Sequence, residues 1–444
     1  MMLCMIIFYL PMAAVQGQSN GDENDIVLPE TLSLEEAIRI GLEQNFGILI
    51  ARNEAEIARR NHSIGNAGFL PVIDLNGAMI ESEDDITTIS GGERSQTLVR
   101  DLERGASVDL GWTIFDGLRM FTNYNRLGEL RRLGEIESQI QVENTITDIT
   151  NAYFNIVRAE KQLEVFQNTV ETSRERRRIA RDKYELGSGS EYDLLLARTD
   201  FNADSALVVR EEVELNDARL QFIRLLNLPA GIDAGVISEI ELAERLNFDE
   251  IYEATMAENR GLESARLRRS VAGLELTESR QQWFPTVEFQ AGYGIDRDLQ
   301  RRPESVDNRT DYFYYGLTAR FNIFNGFNTT REIQTARIQR KNSELVLEEQ
   351  QKFLETVIAG EYRNYESTRS LIDLEMENLN LAERTLEIAL ERFSLGTTTS
   401  LELRESQRNL LDTETRLISA QFEAKLAETE LLRLSGSLIQ QFAE

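Results

Sequence analysis

The sequence predicts a mainly α-helical fold with a small β part, internally duplicated. Long coiled-coil helices would wall a tunnel, and each protomer would add four transmembrane β-strands. Three observations carry this prediction. The chain holds only six prolines in 444 residues, and none between Pro71 and Pro229 or after Pro303; proline breaks helix interiors, so both gaps leave room for very long helices. Residues 32–227 and 247–437 read as two copies of one unit. Each copy contains two short segments of strict apolar–polar alternation, the mark of a strand with one greasy and one wet face.

Composition removes several classes of function. There are 76 acidic and 48 basic side chains, a formal net charge of −28, so a phosphate backbone would be repelled and no nucleic-acid partner is expected. One cysteine excludes an internal disulfide framework and any Cys-rich metal site. One histidine argues against multi-histidine metal centres. No cofactor, metal ligand set or catalytic constellation is expected, and the chain is not read as an enzyme.

Taken in order, residues 1–17 form an apolar run from Leu3 to Val15 that ends at small residues. It is too short to span a membrane and reads as a signal peptide, although no Lys or Arg precedes it. Residues 18–31 are a lead-in. The first copy begins with a helix, then a strand hairpin over 68–80 and 105–116. In its first arm Phe69, Pro71, Ile73, Leu75 and Met79 share one face while Asp74 and Asn76 take the other. The charged stretch 81–104 between the arms reads as a surface loop. A soluble antiparallel sheet over a core would show the same alternation; about ten residues is also the length of a membrane-spanning strand. A long helix over 118–186 follows, then a returning helix over 190–227.

Residues 228–246 are a linker containing Pro229. The second copy repeats the order: a helix, a hairpin over 284–294 and 314–325, a long helix over 327–395 and a returning helix over 399–437, with a tail at 438–444. Phe69-Leu70-Pro71 aligns with Trp283-Phe284-Pro285 at an offset of 214, and Ile114-Phe115-Asp116-Gly117 with Ile323-Phe324-Asn325-Gly326 at 209. Heptads run through the returning helices at Leu194, Phe201, Val208, Leu215 and Phe222, and at Leu403, Leu410, Leu417, Ala424 and Leu431. A strict seven-residue repeat specifies a left-handed supercoil. Each long helix would reach about 100 Å at roughly 1.5 Å per residue.

Four strands cannot close a transmembrane barrel, because about eight is the minimum and an open edge in lipid is forbidden. If the strands lie in a membrane, three protomers would close a 12-stranded β-barrel and a 12-helix α-barrel. The helical turns of the two copies are the most specific segments: Tyr184-Glu185-Leu186-Gly187-Ser188-Gly189-Ser190 and Phe393-Ser394-Leu395-Gly396-Thr397-Thr398-Thr399. Gly187 and Gly396 suit the left-handed residue that ends a helix, and Ser190 and Thr399 suit the cap of the next.

This order and these turns resemble the TolC-type outer-membrane efflux proteins over nearly the whole chain. The resemblance implies a homotrimer in the outer membrane of a Gram-negative-type envelope, in contact with outer-membrane lipid and reaching into the periplasm. It implies a passive exit duct for efflux or type I secretion that meets a periplasmic adaptor (membrane fusion protein) and an inner-membrane pump, proton- or ATP-driven. The tips would be the adaptor-docking surface, at Leu186, Gly187, Ser190, Leu194, Leu395, Gly396, Thr399 and Leu403. Asp193, Glu402 and Glu405 match acidic positions that line the periplasmic constriction; solvated helix residues are the other reading of the two glutamates. Thr398 stands where the family's best-known pattern has an Arg that ties the closed tip, and Phe393 where it has a Tyr. The competing function is a structural coiled-coil protein of the envelope, which explains the heptads but neither the strands nor the duplication. Glu81, Glu83, Asp84 and Asp85 read as solvated loop residues in preference to calcium ligands, and His62 as a solvated or capping residue.

Overall fold

A computed structural model of the chain describes residues 31–232, 235–243, 245–301 and 306–441. The expected signal segment 1–17 and all but the last residue of the lead-in lie outside the described residues. The chain begins with a short strand β1 (Thr31–Leu32) and two helices, α1 (Leu34–Gln44) and α2 (Phe46–Asn61). The strands β2 (Val72–Ser90) and β3 (Glu93–Phe115) follow, then the 67-residue helix α3 (Arg119–Glu185) and the returning α4 (Glu191–Leu225). After β4 (Gly235–Val236) the second copy supplies α5 (Phe248–Glu258), α6 (Arg260–Gln281), β5 (Thr286–Arg301) and β6 (Val306–Arg320). It ends with α7 (Asn328–Ser394), α8 (Ser400–Leu434) and a short α9 (Leu438–Gln441) inside the segment expected to be a tail. The fold is mainly α with a small β part, and it is duplicated. Among the described residues no helix is long and apolar enough to cross a membrane.

The duplication extends to single atoms. Asn45 breaks the chain between α1 and α2: its Oδ1 accepts from the Gly47 amide, and its Nδ2 donates 2.9 Å to the Leu225 carbonyl at the end of α4. Asn259 repeats this between α5 and α6, accepting from the Leu262 amide and donating 3.0 Å to the Leu434 carbonyl. One amide side chain thus caps a helix and pins the end of a distant one. At the sheet-to-helix junctions Gly117 and Leu118 both adopt positive φ, as do Gly326 and Phe327, so the chain turns sharply from strand into α3 and α7.

The sheet is antiparallel in the order β2-β3-β5-β6. Its hairpins correct the expected boundaries. Residues 81–104 are not a loop: β2 and β3 run on as a ladder to Ser90 opposite Glu93, turning at Gly91-Gly92. The alternation ends at Glu81 because polar residues then occupy both faces, Glu81, Glu83 and Asp85 on one and Ser82 and Asp84 on the other, so no pattern marks the strand although its backbone ladder continues. The first strand also starts at Val72 rather than 68, and Phe69 packs edge-on against Phe121 instead. In the second copy β6 stops at Arg320, short of the expected 325. Its one partner begins at Thr286, directly opposite Arg320, whereas β3 continues to Phe115 because β5 pairs with it there. Glu83 and Asp85 sit in β2, bonded to Arg100 and Gln96.

The largest apolar core lies midway along the helices. Tyr153 is its hub: its hydroxyl donates to the Leu32 carbonyl at 3.1 Å and accepts from the Ile237 amide at 3.0 Å, so α3 ties β1 and β4 together at one end of the pair. A smaller cluster in the second copy centres on Leu354, Ile358 and Tyr365. Nearer the sheet α3 runs antiparallel to α6 along a ladder of ion pairs, Arg126–Glu278 at 3.0 Å, Glu137–Arg268 at 2.7 Å and Glu143–Arg260 at 3.7 Å. The two copies are therefore stitched side by side. His62 is the C-cap residue of α2, its ring 4.4 Å from that of Tyr124.

Candidate functional site

The far end of the molecule consists of the α3–α4 and α7–α8 hairpins, and their tips have the same local chemistry. In the first, Gly187 takes φ +75 and donates to the Tyr184 carbonyl, while the Ser188 amide donates 2.9 Å to Lys183. In the second, Gly396 takes φ +75 and donates to Phe393, while the Thr397 amide donates 2.9 Å to Arg392. This is the Schellman ending, which satisfies the last carbonyls of a helix and needs a residue at ease with positive φ. Ser190 and Thr399 then restart the chain, accepting from the Asp193 and Glu402 amides at 3.2 Å each.

The eleven residues singled out from the sequence fall into separate groups. Leu186 and Leu395 stand at the two tips, 82% and 70% exposed. Gly187, Ser190, Gly396 and Thr399 lie beside them, exposed. Leu194 and Leu403 are buried, the latter at 0%, so they pack the hairpins from within and offer no contact surface. Asp193 lines a cleft of about 450 Å³ between the two tips, together with Lys183, Phe393, Thr398 and Thr399. Glu402 and Glu405 are exposed on α8 outside that cleft. Hydrogen bonds from the Thr398 hydroxyl and the Thr399 backbone hold the Glu402 carboxyl below the usual range. Thr398 thus serves its own turn. Phe393 is engaged from the other hairpin: Lys183 Nζ donates 2.7 Å to its carbonyl and lies 4.4 Å from its ring centre.

Behind the tips lies a feature that the sequence reading missed. Arg176 on α3 is 0% exposed and bonds Asp200 on α4. Arg404 on α8 clasps Asp204 on α4 with two bonds, at 2.6 and 2.8 Å, and lies 3.8 Å from Asp200. Ser173 donates to Asp204, and Gln407 on α8 donates 2.8 Å to Ser173 and 3.0 Å to the Thr169 carbonyl. Two arginines balance two aspartates, and three helices from both copies meet there. Burial above all, with the nearby Arg404 charge, pulls the Arg176 guanidinium below its ordinary range, while Asp200 and Asp204 oppose that pull. One signal was present in the sequence: Asp204 stands one heptad after the buried Ala197 and two before the buried Ala218, a core position where an acid demands a partner.

The arrangement offers no ligand set for chemistry. Among the described residues no group of three or more His, Cys, Asp or Glu is placed to hold a metal ion. What it does offer is an elongated helical body, with exposed loops at one end and an amphipathic sheet with two unpaired edges at the other. That is the architecture of a channel subunit. A profile of the outer membrane efflux protein family matches residues 37–228 and 251–437, once per copy, and the chain belongs to that family of channel proteins. Curated relatives include the outer membrane efflux protein BepC of Brucella suis, 18% identical over 74% of this chain and 72% of BepC. Another is the probable outer membrane lipoprotein SilC of Salmonella typhimurium, 19% identical over 94% and 88%. Among solved structures, the Campylobacter jejuni outer membrane channel CmeC superposes with a TM-score of 0.76 at 14% identity, covering 93% of this chain and 89% of CmeC. The outer membrane protein VceC of Vibrio cholerae gives 0.74 at 16%, covering 91% and 96%.

Proposed function

We propose that three copies of this chain close into an outer-membrane exit duct, a twelve-stranded barrel continued by a tunnel of α3, α4, α7 and α8 with their partner helices. The observation that carries this reading is the sheet. Its order leaves β2 and β6 each with one unpaired edge, while Leu75, Tyr315 and Leu317 on one face are 80%, 72% and 67% exposed. Such a sheet is stable in neither water nor lipid until its edges are paired. Joining β6 of one copy to β2 of the next completes it. The tips would lie in the periplasm, where the exposed Leu186 and Leu395 offer apolar contacts to a periplasmic adaptor and, through it, to an inner-membrane pump. Asp193, Glu402 and Glu405 would form acidic rings at the constriction, favouring cations in a narrow bore. Arg404, tied into the first hairpin, would hold the second hairpin against it and so keep the tip shut, in place of the contacts that Thr398 and Phe393 do not make.

Extraction from outer membranes as a detergent-stable trimer, followed by single-channel recording in a planar bilayer, tests the reading. Glu402→Lys with Glu405→Lys should lower the cation-to-anion permeability ratio several-fold. A soluble monomer in the periplasm would overturn the duct, and an unchanged ratio would remove both glutamates from the bore.

A further inference from the structure

Where the strands leave the apolar belt, their arginines gather on one face, with acids interspersed among them. The ladder pairs Arg104 of β3 with Arg297 of β5, and Arg297 with Arg309 of β6. Residues directly opposite share a face, so three arginines stand side by side across three adjacent strands. That face is the mainly apolar one: two and four residues nearer the helices it carries Ala106, Val108, Ile295, Tyr293 and Phe313, with Asp311 as the one acid among them. Among the described strand residues, Arg94 and Arg100 fall on the same face, and only Arg320, at the opposite end of the sheet, falls on the other. The polar face at this level carries Glu103, Asp296 and Asp298.

A row of like charges in direct register is unfavourable for strand pairing, so something must neutralise it. The chain does so in part. Asp307 bonds Arg297 through both oxygens, at 2.9 and 2.5 Å, and Asp311 lies 3.3 Å from Arg309. Glu83 takes Arg100 at 2.6 Å, and Glu81 stands diagonal to Arg104 on the same face. Arg104 itself has no ion-pair partner among the described residues, and Arg297 and Arg309 stay 59% and 64% exposed although paired. Guanidinium groups take phosphate with paired, charge-assisted bonds. A carboxylate beside them can share a divalent cation with a second phosphate.

We propose that the Arg104–Arg297–Arg309 row binds the phosphates of an anionic glycolipid in the outer leaflet, fixing the depth of the barrel in the membrane. This rests on the duct reading, which puts the apolar face toward lipid and the end of the sheet remote from the helices toward the outside. The amphiphilic partner follows from this arrangement: a ligand that satisfies the row must carry phosphate at its head and acyl chains over Val108, Tyr293 and Phe313.

The test uses the full-length protein in phosphatidylcholine vesicles containing diphosphorylated lipid A, and reads by native mass spectrometry the lipid retained after detergent extraction. The R104Q/R297Q/R309Q variant should retain at least about fivefold less lipid A than the unaltered protein, since its charge-assisted bonds are gone. R94Q, on the same face but off the row, should retain as much as the unaltered protein, and excess inorganic phosphate should not displace the lipid. Equal retention by the triple variant overturns the proposal, as does equal loss in R94Q, displacement by inorganic phosphate, or equal retention of dephosphorylated lipid A. Conductance in the same vesicles reports the duct separately. Undiminished lipid retention in a conducting triple variant removes the row and leaves the duct standing, whereas an unaltered protein that does not conduct removes both.

Discussion

The α3–α4 and α7–α8 hairpins have the same lengths, the same caps and the same Gly-centred turns, yet their walls are built of different chemistry. Ser173, Arg176, Asp200 and Asp204 in the first correspond, at the offset of 209, to Ala382, Thr385, Asn409 and Thr413 in the second. The second hairpin closes instead on Leu386, Phe393 and Leu403, with Leu410 packed against them. The first sets Arg177 over the Phe201 ring at 3.9 Å, where the second has Leu386 near Leu410. One hairpin is closed by an apolar zipper, which Ile179 and Lys183 of the first copy touch only from outside. The other contains an acid, Asp204, that is satisfied only when Arg404 arrives from the opposite copy. Duplication supplied two equal units, and divergence made one depend on the other.

That dependence can be broken directly. Asp204→Ala leaves Arg404 and Ser173 without their buried acceptor and should cost about 3–5 kcal/mol, read from the denaturant midpoint of the detergent-solubilised protein. Asp204→Leu combined with Arg404→Met should recover most of the loss, because a well-packed apolar pair often matches a buried ion pair. A single substitution that costs less than about 1 kcal/mol would reduce the network to an ordinary surface pair. In the second hairpin, Leu403→Ala removes a fully buried side chain and should cost about 2–4 kcal/mol, with no ion pair left unmade.

A third contrast between the copies is sensitive to pH. Glu143 on α3 is buried beside Arg260 and corresponds to the exposed Lys352 on α7. Burial pushes the Glu143 carboxyl up to about 7, against the pull of Arg260 and Arg433. The folded state therefore holds this proton to a higher pH than the unfolded chain does. Its contribution to stability is fully present below the ordinary carboxylate range, falls as pH rises toward about 7, and is constant above that. Glu143→Gln should remove this slope, leaving the variant on the order of 1–3 kcal/mol less pH-dependent between pH 4 and 8. An unchanged slope in thermal melts across that range would show that Glu143 is not its source.

The smallest effects should be symmetrical. Ser190→Ala and Thr399→Ala should each cost about 1 kcal/mol, and Gly187→Ala and Gly396→Ala a similar amount, because both glycines sit at φ +75. Urea melts of the four variants should fall in equal pairs. A difference above about 1 kcal/mol within a pair would mean that the divergence of the walls reaches the turns.

Legibility in the sequence followed physical periodicity. The heptads place Ile372, Leu386 and Phe393 on the buried side of α7, and Leu403, Leu417, Ala424 and Leu431 on that of α8. In the first copy the same reading weakens: Tyr184 is 44% exposed, Arg176 is buried off the heptad phase, and Ser173 and Asp204 put polar side chains at positions in phase with buried alanines. Hydrophobic spacing reports only hydrophobic burial, so a core closed by ion pairs is silent in it. The strand extension past Glu81 was hidden for the converse reason, since a ladder wet on both faces has no alternation to read.

The sequence alone determined the duplication, the four long helices, the left-handed turns at Gly187 and Gly396 and the two caps, because each depends on neighbours within a few residues or on a repeated period. Only the tertiary structure decided that Leu194 and Leu403 are interior, that Lys183 reaches Phe393 across 210 positions, that Arg404 completes the site around Asp204, and that Arg104, Arg297 and Arg309 stand in one row. Those pairings join residues far apart in the chain, and their register is set by helix packing and strand ladders that no local pattern encodes.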